Sequence, residues 1–70
     1  MDKKTLGANL QRLRRARSLT QEELAEKSRI ARSIIARLEA GLQDDALVET
    51  AATLAAALDC SLDTLIAGGA

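Results

Sequence analysis

The chain is 70 residues long, near the lower size limit for a domain that folds alone, and such a domain buries only about 60% of its unfolded surface. It has one cysteine, Cys60, and no histidine, so an internal disulfide and a Cys/His zinc site are excluded, and we expect no metal or cofactor. Proline and aromatic residues are absent. The abundance of Ala, Leu, Glu and Arg predicts an all-α fold.

The formal net charge is zero, but the charges are separated along the chain. Residues 1–37 carry ten basic and four acidic residues, a charge of +6, whereas residues 38–70 carry six acidic and no basic residues, a charge of −6. A one-sided basic segment is typical of a phosphate-binding surface, and an ordinary solvated helix face is the alternative. With no membrane-spanning apolar run and no secretory signal, we expect a soluble cytoplasmic protein without a membrane partner.

Three helices are predicted in the first half of the chain. The first covers residues 5–17 and has leucines at helical spacing on one face, Leu6, Leu10 and Leu13. The second covers residues 21–27, because Thr20 and Glu23 have the spacing of a capping box. The third covers residues 31–40 and ends at Gly41. Its apolar side is predicted to contain Ile34, Ile35 and Leu38.

Two further helices complete the predicted domain. Asp44 or Asp45 is suited to cap a fourth helix over residues 46–58. Ser61 is predicted to open a last short helix over residues 62–67. Five helices joined by short turns fit one compact domain over residues 1–70.

The segment from residue 19 to residue 41 is the most informative part of the sequence. Two helices can cross closely at a steep angle only if the residue between them is small, and Ala25 lies in the middle of the first of the two. Large apolar residues have the spacing needed to bury both inner faces: Leu24, Ile30, Ile35 and Leu38. This segment is therefore predicted to be a helix-turn-helix.

Three segments of the chain resemble the phage repressor and Cro type of helix-turn-helix regulators. The first is Leu19-Thr20-Gln21 with Glu23-Leu24-Ala25. The second is Arg32-Ser33, Ile35, Arg37-Leu38-Glu39 and Gly41. The third is Ala55, Ala57-Leu58, Ser61-Leu62-Asp63 and Leu65. The resemblance implies a small transcriptional regulator, such as a repressor, that binds double-stranded DNA as a homodimer on a palindromic operator.

The resemblance also assigns roles by position. Residues 31–40 would be the recognition helix in the major groove, and its base-reading residues would be Arg32, Ser33, Ala36 and Arg37. Phosphate contacts are expected from Gln21, Arg15 and Arg17. Arg14 and Glu39 occupy the positions of a buried structural ion pair that does not read DNA.

The sequence departs from the family at the turn and at the start of the recognition helix. Arg29 stands where the turn usually has glycine, a position that often requires positive φ. Ala31 stands where a Ser or Thr frequently caps the helix, so this cap is missing unless Ser28 replaces it. Asp44 and Asp45 follow the recognition helix, where relatives often carry basic or polar groups.

The apolar residues of the second half allow two interpretations, core or dimer interface. We predict that the last two helices form a homodimer interface through Leu54, Leu58, Leu62, Leu65 and Ile66. The role of Cys60 is left open between a redox switch and a small buried hydrophobe.

Two other functions remain as alternatives to DNA binding. The main one is an interaction module, such as an antitoxin, that keeps the helix-turn-helix shape and binds a protein partner. An enzyme is not expected, because the chain has no histidine and Glu22, Glu23 and Glu26 lie along one solvated helix surface.

Overall fold

The structure, a computed structural model, describes residues 3–42 and 48–67. The described residues form five helices: α1 (Lys3–Ala16), α2 (Gln21–Ser28), α3 (Arg32–Glu39), α4 (Val48–Ala57) and α5 (Leu62–Ala67). The predicted all-α fold is confirmed. The predicted caps of α4 at Asp44 and Asp45, and its predicted first residues, lie outside the described residues.

The helix boundaries differ from the predicted ones by one or two residues where both can be compared. Helix α1 begins two residues earlier than predicted and ends one earlier, and α2 extends one residue further, to Ser28. Helix α3 is one residue shorter at each end than predicted, because Ala31 and Ala40 are its caps. Helix α4 ends one residue early, since Leu58 already belongs to the following turn.

Helices α1, α3 and α4 end in the same backbone arrangement, a Schellman motif. The residue after each C-cap has positive φ: Ser18 at 58°, Gly41 at 73° and Asp59 at 55°. In each case the next N–H reaches back across the last turn; Leu42, for example, donates to the Arg37 carbonyl at 3.0 Å. The predicted end of the third helix at Gly41 is therefore confirmed.

The predicted capping box begins α2. Thr20 Oγ1 accepts from the backbone N–H of Glu23 at 3.0 Å, and Glu23 Oε1 accepts from the backbone N–H of Thr20 at 2.8 Å. Because α1 ends at Ala16 and Thr20 already caps the next helix, only residues 17–20 separate the two helices.

A single hydrophobic core joins the helices. Helix α1 packs against α3 and α5, α2 packs against α3 and α4, and α4 packs against α5. The buried apolar residues are Leu6, Leu10, Leu13, Leu24, Ile35, Leu38, Ala51, Leu54, Ala55, Ala57, Leu58 and Leu65. These aliphatic side chains fill the interior without any aromatic residue.

Two predictions about apolar residues are corrected by their burial. Ile34 is 39% exposed, because it lies about 100° around α3 from Ile35, at the edge of the packed face. Leu54, Leu58 and Leu65 are at most 1% exposed within the single chain, so they belong to its core and are unavailable to a dimer partner. Leu62 and Ile66, the other residues of that predicted interface, are half-buried.

Helix α1 has two anchoring residues that the sequence did not reveal. Gly7 is buried, and a Cβ atom at this position would overlap the carbonyl oxygen of Leu38 and lie 3.1 Å from that of Glu39. Asn9 Nδ2 donates to the carbonyl oxygens of Leu65 at 2.9 Å and Ile66 at 3.4 Å. Helix α1 therefore fixes the carboxyl-terminal ends of both α3 and α5.

Candidate nucleic-acid interface

Helices α2 and α3 are joined by a tight turn that contains Arg29. Arg29 has φ 62° and ψ 23°, the left-handed conformation, and its backbone N–H donates to the Ala25 carbonyl at 2.8 Å. The expectation of positive φ at this position is confirmed. For a residue with a Cβ atom this conformation costs about 1–2 kcal/mol, so the turn is strained relative to one with glycine.

No side chain caps the first turn of α3. Its N-cap is Ala31, as expected from the sequence. Ser28 does not replace the missing cap, because its Oγ accepts from the backbone N–H of Ile30 at 3.2 Å, within the turn. Helix geometry leaves the backbone N–H groups of Arg32 and Ser33 without an intrahelical acceptor. The start of α3 therefore presents hydrogen-bond donors.

The outer side of α3 carries the four residues predicted to read bases. Arg32, Ser33 and Arg37 are exposed and Ala36 is half-buried. Ile35 and Leu38 occupy the opposite side, where both are buried. The structure thus brings the four predicted residues together on one surface, while their contacts with bases stay predictions.

The ion pair implied for Arg14 and Glu39 is present and bidentate. Arg14 Nε donates to Glu39 Oε2 at 2.7 Å and Nη2 donates to Oε1 at 2.9 Å, while Nη1 donates to the Leu19 carbonyl at 2.7 Å. The two side chains are 10% and 3% exposed. The pair therefore joins α1, the turn before α2 and the end of α3.

Hydrogen bonding keeps both partners charged. The hydrogen bond to Glu39 raises the pKa of Arg14 above its ordinary value. Burial is the largest single effect and opposes the charge of Glu39, but the hydrogen bonds from Arg14 and Gln21 and the positive charges of Arg14 and Arg15 together outweigh it and hold the pKa of Glu39 below its ordinary value.

Gln21 takes part in the same network, which the sequence did not predict. Its Nε2 donates to Glu39 Oε1 at 3.1 Å. Gln21 is half-buried at the first position of α2. It also lines an open cleft between the starts of α2 and α3, together with Arg14, Thr20, Glu22 and Arg32. Gln21 and Arg32 thus face the same space.

The two remaining predicted phosphate contacts lie in different surroundings. Arg15 is exposed, and its charge contributes to the lowered pKa of Glu39, after the larger effects of burial and hydrogen bonding. Arg17 donates from Nε to the Leu58 carbonyl at 2.7 Å and from Nη2 to the Asp59 carbonyl at 3.2 Å. Arg17 therefore binds the end of α4. For both arginines, phosphate contact stays a prediction.

Comparisons with known proteins agree with this geometry. A model of the helix-turn-helix family matches residues 10–65. The chain therefore belongs to the helix-turn-helix family. Its fold is similar to that of an HTH_3 family transcriptional regulator from Vibrio cholerae, with a TM-score of 0.88 and 22% sequence identity over 97% of this chain and 38% of that chain. No significant match was found among curated proteins.

The described residues contain neither a helix with the length and apolarity needed to cross a membrane nor a group of three or more potential metal ligands among His, Cys, Asp and Glu. Cys60 is a free, half-buried cysteine that packs against the core.

Proposed function

We propose that the protein is a transcriptional regulator that binds specific sequences of double-stranded DNA. One observation carries this proposal: the exposed edge of α3 and the start of α2 face the same side, where Arg32 and Gln21 line one cleft. A helix-turn-helix uses this arrangement to place one helix in the major groove and the start of the other on the DNA backbone.

The exposed side chains of α3 have the chemistry needed to read base pairs. The guanidinium of Arg32 can donate to both O6 and N7 of guanine, which discriminates by about 1–3 kcal/mol. Ser33 can donate to a base or a phosphate, Ala36 offers a methyl contact for thymine, and Arg37 lies one turn beyond Ser33 on the exposed side. Gln21 and Arg15 are assigned to phosphates, and Arg17 joins them only if it leaves the Leu58 and Asp59 carbonyls of the turn after α4.

A single α3 reads few base pairs, so we propose that two copies bind the two halves of a palindromic operator, about 34–36 Å apart, and act as a repressor. Since Leu54, Leu58 and Leu65 are core residues, only Leu62 and Ile66 of the predicted interface remain available. Sedimentation of the protein at high micromolar concentration tests this: a monomer alone, with and without operator DNA, would rule out the dimer.

The proposal is tested by selecting binding sites from random duplex DNA. The wild-type protein is expected to recover a palindromic consensus, and Arg32→Ala is expected to relax it at one position in each half. Lys27→Ala removes an exposed charge near the end of α2 and should leave the consensus unchanged. Recovery of no consensus contradicts sequence-specific binding.

A protein-interaction module is the second candidate function. The exposed residues Glu22, Glu23 and Glu26 favour it, because they place negative charge on α2 beside the proposed DNA surface. A folded protein that binds duplex DNA only weakly, at low salt and without sequence preference, would support this second function.

A further inference from the structure

We propose that Glu39 is a positioning residue for Gln21: it holds the Gln21 amide in place to donate a hydrogen bond to a DNA phosphate, in addition to pairing with Arg14. This inference rests on the proposed function of DNA binding. It assigns to Glu39 a role in binding, although its side chain is 3% exposed and cannot itself approach DNA.

The hydrogen bonds define how the amide is held. Glu39 Oε1 accepts from both Arg14 Nη2, at 2.9 Å, and Gln21 Nε2, at 3.1 Å. Arg14 Nε fixes the other carboxylate oxygen at 2.7 Å. The Arg14 guanidinium therefore holds both oxygens of the Glu39 carboxylate. The carboxylate cannot follow the Gln21 amide if the amide moves.

One donor of the amide remains for a ligand. An amide nitrogen carries two N–H groups, and a phosphate oxygen only accepts. The contact with Glu39 uses one N–H, and the other is available at the first position of α2, beside the cleft shared with Arg32. The positive end of the α2 dipole favours an anion at the same place.

Fixing the amide in the free protein favours binding. A glutamine side chain loses about 1.5–2 kcal/mol of rotational freedom when it is immobilised. If Glu39 has already ordered Gln21 during folding, this loss does not recur when DNA binds. Glu39 is the last residue of α3. Its carboxylate therefore aligns the Gln21 amide, which would contact the DNA backbone, with α3, which would read the bases.

A double-mutant cycle tests the coupling, with affinity measured for the duplex that the wild-type protein selects. Gln21→Met removes the amide and leaves the ion pair intact, and should weaken binding about 10-fold. Glu39→Met removes the acceptor and also breaks the Arg14 pair, so it should weaken binding in both backgrounds, but by a larger factor in the wild type than in Gln21→Met. Equal losses in both backgrounds overturn the proposal and leave Glu39 a purely structural role.

Side-chain amide relaxation measured by NMR provides a second test that does not depend on the stability of the Glu39 variant. The sequence has four side-chain amides, on Asn9, Gln11, Gln21 and Gln43, so the Gln21 signal is identified by its loss in Gln21→Met. In the free wild-type protein it should be as rigid as the backbone, with an order parameter of about 0.85, while Gln11 serves as the control. A mobile Gln21 amide, below about 0.6, overturns the proposal.

The outcomes separate this inference from the proposed function. A wild-type protein that selects no duplex contradicts DNA binding itself. A wild-type protein that selects a duplex, together with a Gln21→Met variant of unchanged affinity, contradicts only the role of Gln21 and Glu39.

Discussion

At Gly7 a single hydrogen replaces a side chain where two helices touch through their backbones. A Cβ atom there would overlap the carbonyl oxygen of Leu38, and backbone cannot move aside as a flexible side chain does. We expect Gly7→Ala to reduce the free energy of unfolding by about 1–3 kcal/mol, although alanine is the better helix former. Chemical denaturation measures the change.

Ala8→Ser is the control for Gly7→Ala, since Ala8 is an exposed neighbour on α1. It should change stability by no more than about 0.5 kcal/mol. A Gly7→Ala protein that is more stable than the wild type would show that α1 and α3 do not approach as closely as described.

Arg29 and Lys27 are two exposed basic residues, two positions apart, for which the same substitution should have opposite effects. Arg29 has φ 62°, so Arg29→Gly relieves the strain and should stabilise the fold by about 1 kcal/mol. Lys27 lies inside α2, so Lys27→Gly should destabilise it by about 1 kcal/mol. Thermal unfolding compares the two variants, of which Lys27→Gly also loses an exposed ion pair between Lys27 Nζ and Asp59 Oδ2 at 3.9 Å. Equal signs of the two stability changes would contradict the left-handed turn.

At the scale of elements, one side chain of α1 caps the end of α5. Asn9 is 9% exposed and donates to the carbonyl oxygens of Leu65 and Ile66. Asn9→Ala removes both hydrogen bonds and should cost about 1–3 kcal/mol of stability. Hydrogen exchange should show that the loss is concentrated in α5.

Gln11→Ala is the control for the α5 cap, because Gln11 lies on α1 and is half-exposed. It should leave exchange in α5 unchanged. Uniform faster exchange across all helices in Asn9→Ala would instead indicate that α5 does not open separately.

The pair between Glu39 and Arg14 gives the α1–α3 contact a defined pH dependence. The pKa of Glu39 is lower in the folded chain than its ordinary value of 4.5, so the folded state resists protonation. The stabilisation is complete above the unfolded pKa and is lost as the pH falls through the lower folded pKa. Replacing Glu39 with Gln should cost about 3–5 kcal/mol at neutral pH, and the difference from wild type should shrink under acid.

Urea unfolding of the wild type and Glu39→Gln at several pH values measures this difference. Glu23→Gln is the control, since it changes an exposed carboxylate that accepts only one backbone hydrogen bond. A wild-type advantage that stays constant well below pH 4 would contradict the assignment to Glu39.

Local signals explain which elements were predictable from the sequence. The start of α2 and the end of α3 are set by residues within three or four positions of each other, Thr20 with Glu23 and Gly41 with the last turn. The contact between Asn9 and Leu65 joins residues 56 positions apart. The exposure of Ile34 and the burial of Leu54 do not follow from the sequence, because periodicity defines a helix face but not how much of that face a neighbouring helix covers.

At the scale of the whole molecule, the basic first 37 residues should control how binding responds to salt. Each basic residue that neutralises a phosphate contributes about 0.9 to the slope of log affinity against log salt. Arg15→Gln is expected to lower the slope by about that amount. Arg17→Gln should instead lower stability, by about 0.3–1 kcal/mol, because Arg17 binds carbonyls at the end of α4.

Filter-binding titrations at several salt concentrations, combined with thermal unfolding, separate the two arginines. Equal slope changes for Arg15→Gln and Arg17→Gln would show that Arg17 leaves α4 when DNA is present. If neither substitution changes the slope of log affinity against log salt, the phosphate contacts are made by other residues of the basic segment.

The contacts that fix helix α3 in the fold lie on its inner side. Its inner side is fixed by Ile35 and Leu38 in the core, by the Glu39 carboxylate and by the close approach of Gly7, and none of these contacts uses Arg32, Ser33 or Arg37. The outer residues can therefore be exchanged at little cost in stability. Preferences for new DNA sequences can therefore be engineered, or arise in evolution, by substituting a few outer residues of α3 while the rest of the domain stays the same.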